Sequence, residues 1–253
     1  MKRKYIVITG ASSGIGYETA KAFARRKKNL ILCARRIQRL EQLKEEILKE
    51  NSDIDVIIKK VDLSNEPFAI AFYHSLKKYD IEVFINNAGI GNDGDITNPN
   101  LEHNLNMLHV NVNSLSILSL LYIADYKDTE GAQLINVASC AGYTILPGCT
   151  LYGATKFFVS SFTEGIDMEM KRNKHLLRAK VLAPAATETE FEQTAHQSNK
   201  KVNYSEKFSH FHTAKQMAEF LLALYDGDKT VCEIDFNTFT IKLSDPKHPA
   251  LKY

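Results

Sequence analysis

A doubly wound α/β fold with a parallel sheet is predicted by three features of this 253-residue sequence. Strand-like apolar runs alternate with runs of helical periodicity through most of the chain. The strand-like runs are continuously apolar, the pattern of strands covered on both faces. The first of them leads through a glycine-rich turn directly into a helix. Repeated strand–helix units of this kind build one parallel sheet with helices on both sides. No linker-like stretch interrupts them, so residues 1–253 are read as a single domain.

In chain order, residues 5–9 (YIVIT) form the first strand, and residues 15–26 a helix with Ile15, Thr19, Ala22 and Phe23 on one face. Residues 30–34 form the second strand, and 38–50 a helix with Leu40, Leu43, Ile47 and Leu48 on its apolar side. Residues 55–61 are the third strand. Residues 67–78 are helical, with Pro67 tolerated in the first turn. Residues 81–86 are the fourth strand, 101–126 a long helix, 133–138 the fifth strand, 151–171 the next helix and 179–182 the sixth strand. Residues 187–213 are polar with isolated Phe191, Tyr204, Phe208 and Phe211. That length exceeds an ordinary connection and predicts a lid or substrate segment. An amphipathic helix over 214–225 and a strand over 231–243 follow, then an irregular tail with Pro246 and Pro249.

Hydrophobic residues make up 44% and charged residues 25% of the chain, which excludes a disordered or collagen-like protein. The longest apolar stretch, 115–124, contains Ser116 and Ser119 and is shorter than the ~20 residues a span requires, so no membrane segment is expected. The apolar run after the first basic residues is too short for a signal-peptide core. Cys33, Cys140, Cys149 and Cys232 form no paired or zinc-type spacing, so a reduced, cytoplasmic protein without a metal is expected. Residues 1–40 carry eleven Lys and Arg against the single acid Glu18. No nucleic-acid motif or aromatic interleaving accompanies them, so they are read as a solvated face plus charges near a bound phosphate, with no nucleic-acid partner.

The turn Gly10-Ala11-Ser12-Ser13-Gly14-Ile15-Gly16 has the spacing G-x-x-x-G-x-G between strand and helix. Glycine there permits a tight turn and close approach of backbone to a pyrophosphate, which the helix N-terminus then attracts. Such a Rossmann-type site takes an acid after the second strand for the ribose hydroxyls of NAD, or arginine for the 2′-phosphate of NADP. Here Ala34 is followed by Arg35 and Arg36, which predicts NADP(H). Tyr152 and Lys156, four apart at a helix start, share one face. A phenol titrates near ~10, and a neighbouring cation lowers it into the range of acid–base work. Ser139 ends the fifth strand, at the edge where open α/β sheets bind ligands. Asn111 lies in a helical stretch.

With these residues together, the chain resembles the short-chain dehydrogenase/reductase family. The matching elements, in family order over residues 5–190, are TGASSGIG ending at Gly16, Asp62-Leu63, Asn86-Asn87-Ala88-Gly89, Asn111, Ser139, Tyr152-x-x-x-Lys156, and Pro184 with Thr187 and Thr189. The resemblance implies a carbonyl–alcohol oxidoreductase with four catalytic residues. Tyr152 exchanges the proton, Lys156 lowers its pKa and binds the nicotinamide ribose, Ser139 bonds the substrate oxygen, and Asn111 holds a relay water. It implies that Gly10, Ser12, Ser13, Gly14, Ile15, Gly16, Arg35, Arg36, Asp62, Leu63, Asn87, Ala88, Gly89, Pro184, Thr187 and Thr189 line the cofactor, with Tyr152 and Lys156. It also implies pairing through the long helices into a homodimer or homotetramer, and a small-molecule carbonyl or alcohol as substrate. Two departures stand out. Pro184-Ala185 replaces Pro-Gly, and EIDFNTFTIKL replaces a common Asp-Gly-Gly near the end.

Other readings are weaker. An NADPH-sensing regulator without turnover has no need of all four catalytic residues. A serine hydrolase lacks its nucleophile elbow. His210 and His212 are read as solvent-facing, with no third ligand for a metal, and Cys140 and Cys149 as small apolar residues.

Overall fold

Residues 3–92, 94, 96–195 and 202–251 are described in the computed structural model. The first half runs β1 (Lys4–Thr9), α1 (Gly14–Arg25), β2 (Asn29–Ala34), α2 (Ile37–Glu50), β3 (Val56–Lys60), α3 (Glu66–His74) and β4 (Asp80–Asn86). Next come α4 (Leu101–Leu108), a π-helical segment (His109–Ser114) and α5 (Leu115–Tyr126). They are followed by β5 (Gln133–Val137), a 3₁₀ turn (Cys140–Gly142), α6 (Thr150–Arg172) and β6 (Arg178–Ala183). The remainder holds β7 (Thr187–Glu188), α7 (Phe191–Ala195), α8 (Tyr204–Lys207), β8 (His212–Thr213), α9 (Ala214–Asp226), β9 (Val231–Ile234) and β10 (Ile241–Ser244).

Eight strands form one sheet in the order β10-β9-β6-β5-β4-β1-β2-β3. Every neighbouring pair is parallel except β9 with β10. Alternate side chains of each strand feed opposite faces. Ile6, Ile8, Leu30 and Leu32 join Phe23, Leu40, Leu43, Met217 and Leu221, from α1, α2 and α9. Tyr5, Val7, Ile31 and Phe84 join Phe72, Tyr73, Leu118, Tyr122, Ile166 and Met170, from α3, α5 and α6. Each fully buried aliphatic side chain of this kind is worth about 1.5–3 kcal/mol, which is why continuously apolar strands select a doubly covered sheet.

Two elements differ from expectation. Residues 231–243 make a hairpin rather than one strand. Asp235 Oδ1 accepts from the backbone N–H of Asn237 (2.8 Å) and Thr238 (3.2 Å), and β10 returns antiparallel. The helical run 101–126 is interrupted by the π segment. Leu101–Tyr126 is also long and apolar enough to cross a membrane by length and composition, with a mean hydropathy of 1.5 in its most apolar window. The expectation of no span rests on 115–124 alone. Leu115, Leu118, Ser119 and Tyr122 of this run are buried within the protein. The basic first segment is ion-paired across the fold. Lys21 meets Glu46, Arg26 Asp226, Lys27 Asp53 and Lys28 Glu82.

The C-terminal half is held by buried carboxylates on α6. Glu164 accepts from Tyr143 Oη (2.5 Å) and from the backbone N–H of Lys247 (2.6 Å) and His248 (2.8 Å), so the tail is fastened to α6. Asp167 is fully buried and accepts from Arg178 Nε (2.9 Å), Lys171 Nζ (2.7 Å) and Thr230 Oγ1 (2.6 Å). Burial opposes its charge, but these donors outweigh burial and hold the carboxyl below its ordinary value of 3.8. Its folded pKa is therefore depressed, so it contributes stability above the ordinary aspartate range that is lost as pH falls through the folded value. Asp167→Asn is expected to cost about 3 kcal/mol at neutral pH, because Arg178 is left without its charge partner. Thermal melts should show a lower Tm for the variant at pH 7, and the gap between the two proteins should narrow as pH falls below the ordinary aspartate value.

Candidate active site

The strand order reverses between β1 and β4, and open α/β sheets bind ligands at the carboxyl end of such a switch point. The loops leaving the two strands are tied together there. Thr9 Oγ1 accepts from the N–H of Asn87 and Ala88 (3.0 Å each), and Asn87 Nδ2 donates to Thr9 O (2.9 Å). Gly10 has φ +66°, and a Cβ on it would lie 2.8 Å from Ala88 Cα. A Cβ on Gly16 would lie 2.4 Å from Asn87 Nδ2. Neither position admits a side chain, so the turn and the loop carrying Asn87, Ala88 and Gly89 are packed backbone to backbone.

Downstream of the turn, α1 opens at Gly14, with Ser13 as its N-cap making no side-chain cap bond and with no acidic residue in the first turn. The first turn of α1, with Ile15, thus carries no acidic side chain of its own against the positive end of the helix. Arg36 folds back over this turn. Its NH2 donates to Ser13 Oγ (2.8 Å) and Ser12 Oγ (3.2 Å), and its NH1 to Glu190 Oε2 (2.7 Å). Arg35 is exposed. Asp62 Oδ1 accepts from Ser64 N (3.0 Å), and Leu63 O accepts from Ser114 Oγ (2.7 Å), which anchors that corner to the π segment.

The second cluster is assembled from α6, the β5 end and the π segment. Lys156 is 5% exposed, and its Nζ donates to Val137 O (3.0 Å) and lies 5.7 Å from the Tyr152 ring centroid. Desolvation lowers the ammonium to about 8. Tyr152 is raised well above the usual phenol value by burial, so the lowering expected from Lys156 does not prevail here. Ser139 bonds the phenol and pulls the other way, while Cys140, Cys149 and Glu192 raise it further. Ser139 Oγ also caps the 3₁₀ turn by accepting from Ala141 N (3.2 Å). A Cβ on Gly142 would lie 2.5 Å from Lys156 O, so this turn lies directly on the backbone of α6.

Asn111 is buried and its side chain is fully engaged. Its Oδ1 accepts from Ile90 N (2.9 Å), and its Nδ2 donates to Ile90 O (2.9 Å) and Thr155 Oγ1 (3.1 Å). Ala185 is not among the described residues with positive φ, so this position takes an alanine without strain. Pro184 O accepts from Cys140 N (2.7 Å), which links the Ser139 loop to the segment after β6.

That segment reaches back across the crevice. Thr187 Oγ1 donates to Ala185 O (2.8 Å), and Thr189 Oγ1 accepts from Phe191 N (3.1 Å). A Cβ on Gly14 would meet Thr189 Cγ2 at 3.0 Å. Phe191 packs on Tyr152 with ring centroids 5.6 Å apart. The other aromatic residues of 187–213 behave differently. Tyr204 packs with Phe208 (5.4 Å) and Phe211 (5.6 Å) as a local cluster. Residues 196–201 of this segment lie outside the described residues. His212, expected in solvent, is 5% exposed. It stacks on Phe239 of the hairpin at 4.6 Å, and its Nε2–H donates to Phe239 O (2.9 Å).

The residues present fit a dinucleotide. A Cβ on Gly89 would lie 3.4 Å from Asn111 Oδ1 and 3.5 Å from Lys156 Nζ, so this bare backbone preserves the cradle beside the lysine. These contacts bring Gly10, Gly14, Gly16, Asn87, Ala88 and Thr189 together at the glycine turn, and Gly89, Asn111, Tyr152 and Lys156 together beside α6, whereas Arg35 is placed by its exposure alone. Sequence reasoning passed over Glu190, Thr155 and Gly142. Of these only Glu190 carried a signal, as an acid between Thr189 and Phe191.

Comparison with known proteins gives the same picture. The short chain dehydrogenase family model matches residues 4–200. The chain is 30% identical over 199 residues to dehydrogenase/reductase SDR family member 11 of Gallus gallus, covering 76% of this chain and 78% of that one. It is 31% identical over 224 residues to an NADP-dependent 3-hydroxy acid dehydrogenase of Schizosaccharomyces pombe, covering 87% and 85%. Among solved structures it is similar to a short-chain dehydrogenase from Sphingobium yanoikuyae in complex with NADPH. That match has a TM-score of 0.81 and 26% identity, covering 91% of this chain and 87% of that one. A switch-point crevice with a glycine turn on one side and a Tyr–Lys pair on the other, on a chain matched over most of its length, leaves one conclusion: the protein is a member of the short-chain dehydrogenase/reductase family of oxidoreductases.

Proposed function

We propose that the protein interconverts a carbonyl and an alcohol using NADP(H), with Tyr152 as the acid–base group. The observation that carries this reading is the buried Lys156 ammonium beside the Tyr152 ring, opposite the bare backbone of Gly89. A lysine costs stability in such a place, and a phenol beside it gains a charge partner. When bound, the dinucleotide supplies or accepts the hydride at its nicotinamide. The protein's part is to hold the substrate oxygen and move the proton. Tyr152 Oη gives the proton to the carbonyl oxygen, and Ser139 Oγ donates a second hydrogen bond to that oxygen. Two positioned donors offset the negative charge that develops there. Lys156 favours the phenolate left behind. The Asn111 side chain, fixed by Ile90 and Thr155, anchors the π turn from which this residue would hold the relay water.

Gly10, Gly14 and Gly16 would admit the pyrophosphate to the α1 N-terminus, and Thr189, with Thr187 in the segment after β6, would hold the nicotinamide carboxamide. Asp62 and Leu63 border the adenine. Arg36, with Arg35 beside it, takes the 2′-phosphate. The segment 187–213 acts as the lid over the substrate, with Phe191 as its contact. Exposed Leu120 on α5 and Phe158 on α6 support pairing of copies through these helices, and four cysteines outside any disulfide support a reducing, cytoplasmic setting.

Titration with NADPH and, separately, NADH, followed by nucleotide fluorescence, tests the cofactor. A charge-assisted contact to the 2′-phosphate predicts at least about tenfold tighter NADPH binding. Equal affinities would remove NADP from the reading.

A further inference from the structure

One side chain in the crevice has no part in the reading above. Glu190 is pinned between two arginines, Arg36 at 2.7 Å and Arg39 at 3.7 Å, far from either in sequence. It sits between Thr189, which touches the Gly14 position, and Phe191, which packs on Tyr152. The guanidinium that Glu190 engages is the one whose remaining donors meet Ser12 and Ser13 at the glycine turn.

We propose that Glu190 is an internal competitor for the adenosine 2′-phosphate: its carboxylate and that phosphate seek the same Arg36 donors, so a 2′-phosphorylated nucleotide breaks the Arg36–Glu190 pair and loosens the segment that holds Phe191 on Tyr152. This rests on the NADP(H) reading. A phosphate monoester carries about −1.5 to −2 charge near neutral pH and outcompetes a single carboxylate for a fork of guanidinium donors. A ribose 2′-hydroxyl does not. It donates to a carboxylate and leaves the pair closed. Arg36 thereby couples recognition at the adenosine end to the position of a side chain at the reactive end. Glu190 is a positioning and specificity residue, and it touches no reacting atom.

The pair is about half exposed on both sides, with side-chain exposures of 47% and 41%, so its effect is bounded. Surface pairs of this kind shift an equilibrium by at most about fivefold.

The test uses the full chain and two half-nucleotides that lack the nicotinamide, adenosine 2′,5′-bisphosphate and 5′-AMP. By calorimetry, Glu190→Gln should bind the bisphosphate about three- to fivefold tighter than wild type does, with 5′-AMP unchanged or weaker. Glu188→Gln, an exposed acid two residues away, controls for charge alone. Hydrogen exchange of the amides of 189–195 should speed up in wild type with the bisphosphate and not with 5′-AMP, and should already be fast in Glu190→Gln. The competitor role is overturned if Glu188→Gln matches Glu190→Gln, or if Glu190→Gln changes both ligands alike. It also falls if the bisphosphate leaves exchange over 189–195 unchanged. If wild type binds the bisphosphate no tighter than 5′-AMP, the NADP(H) reading fails and the competitor falls with it. If wild type discriminates between the two but Glu190→Gln has no effect, only the competitor falls.

Discussion

Tyr152→Phe is expected to lower carbonyl turnover about a thousandfold while NADPH affinity changes by no more than about threefold. The separation follows from what the substitution keeps. The ring remains in its slot between Phe191, 5.6 Å away, and Lys156 Nζ, 5.7 Å from its centroid. Only the hydroxyl is lost, and with it the proposed proton donor. Burial holds this phenol well above its ordinary value, so it is protonated through the neutral range before substrate and cofactor arrive. A protonated phenol suits reduction, where a proton is delivered to the carbonyl oxygen. It opposes alcohol oxidation, where the phenolate must form first. Wild-type reduction rates should therefore be insensitive to this group between pH 6 and 8, and oxidation rates should rise with pH. Steady-state rates in both directions, with a parallel NADPH titration, check both halves. Retention of full turnover by Tyr152→Phe would exclude the acid–base assignment, and loss of NADPH binding would show that the substitution acts on folding or on the cofactor instead.

Much of this architecture was legible because its determinants are local. Runs such as YIVIT and QLINV need no partner to declare themselves strands, and their unbroken apolarity announces cover on both faces. The glycine turn is legible for the same reason, since Gly10 at φ +66° is required by the turn itself. What escaped depends on contacts distant in sequence. Nothing in HVNVNS distinguishes a π turn from an α-helix, and the bracket from Asn111 to Ile90 joins residues 21 apart. Glu190 and Arg36 are 154 apart, and which of Arg35 and Arg36 folds over Ser12 depends on where α2 starts. The hairpin in 231–243 was hidden by Phe236 and Phe239, whose apolarity masks the turn that Asp235 builds. That hairpin in turn buries His212, which the polar sequence around it had suggested lies in water.

Lys156→Met should reduce turnover by about a hundred- to a thousandfold and yet leave the protein no less stable at pH 7. These opposite effects come from one cause. The ammonium is buried with Val137 O as its one hydrogen-bond acceptor among the described residues, and desolvation alone lowers it from 10.5 to about 8. For a base, a folded pKa below the unfolded one is a cost carried by the charged form. Below pH 8 the native state holds the proton at this cost. Between about 8 and 10.5 the unfolded chain binds a proton that the folded chain does not, so stability rises with pH across that window. The full cost corresponds to roughly 3 kcal/mol at neutral pH, before the lost bond to Val137 is subtracted. Methionine fills nearly the same volume without the charge and removes the cost. The stability advantage of Lys156→Met should therefore be largest near pH 7 and shrink as pH approaches 10.5, which denaturant titrations at several pH values would resolve. Activity should respond in the opposite sense. Wild-type carbonyl reduction should fall as pH rises through about 8, where the ammonium discharges, whereas residual reduction by the variant should show no inflection there. A variant that is markedly less stable at pH 7, or that keeps the inflection near 8, would show that the lysine serves packing rather than the proton chemistry of Tyr152.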